Sequence, residues 1–168
     1  MPRSTTLPVN LAAFLDMLAW SEIGPQLLAE SDDGYNVLVG STPGKPLLFS
    51  SYGTHPDIYN QAEDSTAAGR YQLIHRWWPD YQKLLRLLDF GPLAQDMIAV
   101  QQIRERVALT DIAGGHLRSA IQKCSNIWAS LPGNNYGQHQ QKLLGLANAF
   151  TAAGGVLAAG ELDAIKTP

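Results

Sequence analysis

Gly-Pro and Gly-Gly steps cut this chain into short lengths, and that punctuation limits the fold more than any other feature. The steps fall at Gly24-Pro25, Gly91-Pro92, Gly114-Gly115 and Gly154-Gly155. Proline cannot continue a helical hydrogen-bond ladder and disfavours helix in the residue before it, and glycine loses the most backbone freedom on ordering. Between the breaks, apolar residues recur mostly at helical spacing. Residues 9 to 23 read as a helix, with Asn10 as N-cap after Pro8 and Leu11, Phe14, Leu15, Leu18 and Ala19 at helical intervals. Residues 34 to 52 differ. Tyr35, Val37 and Val39 alternate, Ser41 to Pro46 make a turn, and Leu47-Leu48-Phe49 return, which is the pattern of a small β-hairpin.

Residues 53 to 66 are loop-like. From Ala67 the spacing predicts a helix with Tyr71, Ile74 and Trp78 on one face, and Pro79 opens a further helix carrying Tyr81, Leu84, Leu85 and Leu88. A long helix is expected from Leu93 to Leu109, another from Leu117 to Trp128, and a last one from Gln140 to Ala153. The tail after Gly154-Gly155 reads as loosely attached. The expected fold class is α+β: one mainly helical domain over 1–168, its core at 9–154, with a small β-hairpin between the first and second helices.

With 45% hydrophobic residues in 168, the chain can build a core without metal or disulfide staples. Net charge is −3 and the charges are mixed along the length, so the basic stripe of a nucleic-acid binder is missing. No polybasic segment steers the chain to an anionic membrane, and no stretch approaches transmembrane length. The first residues do not make a secretory signal, because Asp16 breaks the apolar run and no small-residue cleavage site follows. Cys124 is the only cysteine, which excludes an internal disulfide and reads as a small core residue rather than a nucleophile. The four histidines show no metal-ligand spacing, so neither metal nor cofactor is expected.

Glu22 is the candidate for chemistry. Leu11, Leu15, Leu18 and Glu22 follow one another at intervals of four, three and four residues, which puts the carboxylate in line with an apolar stripe. It stands at the negative end of its helix, and no Lys or Arg lies three or four residues away. Desolvation and helix position both raise a carboxyl pKa, and a carboxyl that stays protonated can donate to a leaving oxygen. Spacing alone favours a solvated helix-end residue.

Longer stretches carry more information. FLDMLAWSE at 14–22, GYNVLVG at 34–40, STAAGRYQL at 65–73, RWW at 76–78, QQIRER at 101–106, CSNIWASLPG at 124–133 and YGQ at 136–138 resemble, in the same order, the bacteriophage lambda lysozyme (endolysin) family. The resemblance spans roughly residues 12–154. It implies a lysozyme-like domain and a peptidoglycan lytic transglycosylase. Such an enzyme cuts the β-1,4 bond between N-acetylmuramic acid and N-acetylglucosamine and leaves a 1,6-anhydromuramic end. The family's catalytic glutamate falls on Glu22, and a single acid suffices because the muramic 6-hydroxyl is the nucleophile. Asn36 stands where the family has an aspartate, which removes one candidate second carboxylate, while Asp32 and Asp33 stay possible.

The resemblance also implies a substrate-binding set. Gln72, in Gly69-Arg70-Tyr71-Gln72, would bond sugar N-acetyl or hydroxyl groups, with Tyr35 and Asn36 of the GYN block beside it. Tyr136 matches a cleft tyrosine and has either a direct or a packing role. Ser65 and Thr66 either bond near Glu22 or cap the following helix. Tyr71 reads as core, and at most one of Trp20, Trp77, Trp78 and Trp128 is expected to stack on sugar. The segments 53–64 and 131–138 resemble lips over the glycan groove. A holin partner giving access to the wall, a monomeric state and no nucleic-acid partner complete the expectation. The alternatives are a muramidase that uses water and a non-catalytic glycan-binding or virion protein.

Overall fold

The structure, a computed structural model, describes residues 2–134 and 140–167. Eight α-helices lie among them: α1 (Val9–Glu22), α2 (Pro25–Ala29), α3 (Trp78–Leu85), α4 (Pro92–Glu105), α5 (Leu109–Gly114), α6 (Leu117–Cys124), α7 (Leu143–Ala152) and α8 (Glu161–Lys166). The chain forms two compact units, one from its start through Ser21 together with everything from Val100 onward, the other from Glu22 to Ala99.

In the first unit α1 is buried nearly all round. Ala13, Phe14, Leu15, Met17, Leu18 and Ala19 are 0% exposed, as suits a helix that is apolar on every side. Asn10 is not its N-cap. It lies inside the first turn, where its amide donates to the carbonyls of Ile112 (3.0 Å) and Val156 (3.1 Å) and its Oδ1 accepts from the N–H of Val156 (2.8 Å). Those bonds hold residues after Gly155, where the sequence suggests a loose tail. The segment also carries α8, bonds Ala158 N–H to the Gly115 carbonyl, gives Glu161 to the N–H of Arg118 and buries Ile165. The long helix expected to Leu109 is split by Val107, which takes a left-handed φ of 55° between α4 and α5. Trp128 lies beyond the end of α6 yet is buried.

In the second unit the expected hairpin is reduced to points. Among the described residues extended pairing is confined to isolated bridges, including Val37 with Leu48 and Leu38 with Ala68. The return arm cannot build a ladder. Pro43 and Pro46 lack N–H groups, and the Ser41 hydroxyl takes the Leu47 N–H (2.9 Å) that a facing carbonyl would have taken.

The helix expected from Ala67 is also absent. Gly69 and Gln72 adopt φ of 81° and 49°, and Ala68 and Leu73 exchange both backbone bonds at 3.0 Å, closing a tight loop. Helical structure begins only with a 3₁₀ turn at His75–Trp77, which leads into α3. The apolar spacing is met by burial instead: Leu73 and Trp78 join Leu38, Phe49, Ala68, Phe90 and Ile98 in one cluster. Pro79 does open α3, but the helix stops at Leu85, where Arg86 turns left-handed (φ 54°), and Leu88 is 94% exposed.

Candidate active site

Glu22 closes α1 and is half-buried, with no basic residue in that last turn. Its neighbours in sequence are both anchored. Ser21 is buried and donates to Ser130 Oγ at 2.6 Å. Ile23 is buried in a cluster with Leu27, Val37 and the partly buried Leu28. Gly24 and Pro25 then end the helix and start α2.

The structure brings most of the other expected residues onto two paired segments. Gly69 N–H donates to the Val37 carbonyl (2.8 Å) and Val39 N–H to that of Ala67 (2.9 Å). Asn36 and Tyr35 stand on one segment, Ser65, Thr66 and Gln72 on the other. Asn36 is half-buried, and its Oδ1 accepts from the N–H of Asp32 (2.9 Å). Gln72 is half-buried and donates to the Gly69 carbonyl at 2.8 Å. Ser65 Oγ accepts from Ala67 N–H at 3.1 Å. Thr66 Oγ1 accepts from His75 N–H at 3.1 Å, which serves the first donor of the 3₁₀ turn as a cap would. Tyr35 is 0% exposed, so its phenol works inside the protein and presents no face to a ligand. Tyr136, with the rest of YGQ, lies outside the described residues.

Behind these segments sits a polar network that the sequence does not disclose. Arg70 is 1% exposed and pairs with Asp33 through both the carboxylate (2.8 Å) and the main-chain carbonyl. Its guanidinium lies 5.2 Å from the Tyr35 ring centre and 6.0 Å from that of Tyr71. Both phenols donate to Asp96 Oδ1, at 2.8 and 2.7 Å, and Asp96 is itself buried. Burial beside Asp96 pushes the Tyr71 phenol well above its ordinary pKa, so it stays a neutral donor. Gln95 completes the set, accepting from Arg70 N–H (2.9 Å) and donating to the carbonyls of Tyr35 (3.0 Å) and Phe90 (2.9 Å).

The network bears on the remaining carboxylates. Burial acts to raise the Asp33 pKa, yet the net shift is downward, with the Arg70 charge and hydrogen bond among its causes. Asp33 is therefore a bound anion. Asp32 accepts from the Tyr52 hydroxyl at 2.7 Å.

Of the tryptophans, Trp78 and Trp128 are buried, Trp20 is half-buried against α7 (3.5 Å from where a Gly145 Cβ would stand), and Trp77 is 47% exposed. The segment 53–64 is better anchored than its composition suggests. His55 is buried, and Asn60 exchanges both backbone bonds with Ser65. Cys124 is buried, which pushes its thiol up to about 12, far from a nucleophile's range. Among the described residues no cluster of His, Cys, Asp and Glu could hold a metal, and no helix is long and apolar enough to cross a membrane.

Comparisons with known proteins give the class, a lysozyme-type enzyme. The pattern of the endolysin family matches residues 12–157. The endolysin of Escherichia phage P2 is 48% identical over 155 residues, covering 88% of this chain and 94% of that one. The endolysin of Escherichia phage lambda is 49% identical over 149 residues, covering 86% and 91%. Among solved structures, bacteriophage lambda lysozyme complexed with a chitohexasaccharide superposes with a TM-score of 0.82 at 46% identity, covering 91% of this chain and 99% of that one. A second lambda lysozyme structure gives 0.77 at 44% identity, with the same coverage. The chain belongs to the endolysin family, lysozyme-type enzymes that degrade peptidoglycan.

Proposed function

We propose that this endolysin is a lytic transglycosylase in which Glu22 is the one acid/base. Protonated Glu22 gives its proton to the glycosidic oxygen as the bond from muramic C1 breaks. The resulting carboxylate takes the proton of the muramic 6-hydroxyl as O6 closes on C1. One bond breaks, one forms, and no water is consumed. Tethering the nucleophile to the reacting sugar gives effective molarities of about 10⁵ M or more when it is well oriented. The observation that carries this reading is the state of the acids nearest Asn36: Asp33 is committed to Arg70 and Asp32 is bonded by Tyr52. A retaining hydrolase would need a second carboxylate about 5 Å from the acid, and an inverting one a free base further off.

Gln72, Asn36, Ser65 and Thr66 are the glycan-binding side chains in this proposal, with Tyr136 as a further contact and Tyr35 supporting them from within. The complex of the lambda relative with a chitohexasaccharide supports a glycan ligand here. The enzyme works as a monomer on the wall, with a holin as the functional partner that gives it access. Purified peptidoglycan digested by the enzyme should yield fragments with 1,6-anhydromuramic ends that gain no mass on borohydride treatment. Fragments one water heavier, gaining two hydrogens on reduction at a muramic end, would establish ordinary hydrolysis instead.

A further inference from the structure

We infer that Gly34, held in place by Arg70, is the seat on which Ile23 sets the position of Glu22. The inference rests on the reading of Glu22 as acid/base and deepens it by naming what aims that residue.

Ile23 follows Glu22 directly and is buried. Its Cδ1 lies 2.8 Å from where a Cβ on Gly34 would stand, and Leu28 Cδ2 lies at the same distance. Ile23 and Leu28 therefore occupy the space that any other residue at 34 would need. The Arg70 Cα is 3.5 Å from the same point, so Ile23, Leu28 and the 65–73 segment all crowd the space beside Gly34. Gly34 has φ of 87°, a conformation that L side chains rarely adopt.

Hydrogen bonds hold the residues that flank the seat. Gly34 N–H donates to Ser31 Oγ (2.9 Å), and the preceding residue, Asp33, is gripped by the Arg70 guanidinium through carboxylate and carbonyl. Arg70 N–H is fixed by Gln95, and the rings flanking its guanidinium are fixed by Asp96. A continuous line of buried contacts runs from Gln95 and Asp96 on α4, through Arg70 and Gly34, to Ile23. Ile23, Gly34 and Arg70 are positioning residues, and a displacement of about 1 Å at the reacting group can cost on the order of a hundredfold in rate.

The test uses the full chain with Gly34→Ala, Ile23→Val, the double variant and Glu22→Gln. Turnover, KM and pH–rate profile are measured on peptidoglycan, and chitohexasaccharide affinity is measured by calorimetry. Gly34→Ala should lower kcat about tenfold or more and move the acid-base limb of the profile, with KM and oligosaccharide affinity within about twofold of the parent. Ile23→Val removes Cδ1, so the double variant should regain part of the lost kcat although Ile23→Val alone loses some. Should Gly34→Ala not fold, Ile23→Val alone carries the test through a fall in kcat and a moved limb. Unchanged kcat and profile in the folded variants overturn the seat. Activity retained by Glu22→Gln would instead overturn the assignment of the acid/base, so the two failures are distinct.

Discussion

The cores of the two units are made differently. Around α1 the first unit buries side chains that are apolar on every face: Phe14, Leu15, Met17 and Leu18 are all 0% exposed. The second unit buries Arg70, Gln95 and Asp96 among its aromatic rings. Apolar packing is non-directional and tolerates exchange of similar volumes, whereas a buried charge demands particular partners at particular distances. The polar core lies where Tyr35, Asn36 and Gln72 stand and where the residue after Glu22 is seated. On the proposal above, it is the polar core of the second unit that carries placement.

The largest effect that separates the two roles should come from Glu22→Gln. The variant keeps shape and hydrogen-bonding capacity but loses the transferable proton and a charge at the negative end of α1. Lysis of peptidoglycan should vanish while the thermal midpoint stays or rises. Wild-type lytic activity in that variant would remove Glu22 from the chemistry.

A paired substitution breaks the comparison more directly. Arg70→Met leaves Asp33 without its guanidinium partner and should cost about 3 kcal/mol, the lower end for breaking a buried pair, because the Asp33 side chain is 35% exposed. Leu18→Met conserves volume at a 0% exposed site and should cost less than about 1.5 kcal/mol. Denaturant unfolding of both variants measures the difference. Equal costs would show that the polar core is no more demanding than the apolar one.

That contrast also explains what was legible in the sequence. Helix α1, its stop at Gly24-Pro25 and the place of Glu22 at its end follow from spacing and punctuation, both local properties. The segment 67–78 misleads because Tyr71, Ile74 and Trp78 keep helical spacing while Gln72, a non-glycine at φ 49°, turns the chain back on itself. The alternation at Tyr35 and Val37 does bury both residues, but two prolines and the Ser41 hydroxyl leave pairing only at points. Arg70 is surrounded by Asp33, Tyr35 and Tyr71, and that is a long-range property. Asn10 shows the same limit: a helix-start residue by its neighbours, a staple to Ile112 and Val156 by its contacts.

His55 gives a smaller effect, tied to pH. Asp57 N–H donates to its Nδ1 (3.1 Å), so Nε2 carries the proton and donates to the Leu73 carbonyl (2.8 Å). Both nitrogens are satisfied in the neutral ring, and protonation would set one N–H against another. Burial lowers its pKa, and nearby His75 adds to this, while the bond to Leu73 and the charge of Asp57 oppose it. Because the folded value lies below the ordinary one, the unfolded chain binds the extra proton between them. The contribution is complete above about pH 6.5 and is lost as pH falls through the folded value. Unfolding free energy measured from pH 5 to 7.5 should rise with pH by at most about 1.4 kcal/mol per unit, and His55→Gln should remove that part of the slope. An unchanged slope in the variant would assign the pH dependence to other groups.

The smallest effect on activity should come from Cys124, the last buried residue of α6 in the first unit. Its side chain is 0% exposed. The thiol is pushed up to about 12 by burial, a little countered by Arg106 and reinforced by Asp111, so essentially no thiolate exists at neutral pH. A thiol in that state packs as a small hydrophobe, and nothing in it can attack a sugar or relay a proton. Cys124→Ser exchanges the sulfur for a hydroxyl whose desolvation costs about 1–3 kcal/mol where no partner is gained. The thermal midpoint should therefore fall while kcat and KM of the folded enzyme stay as they were. Cys124→Ala removes the polar group as well and should show the same unchanged kinetics, with a stability cost set by lost volume alone. Loss of turnover in either variant at full folding would mean that the apolar core, too, holds part of the enzyme's placement.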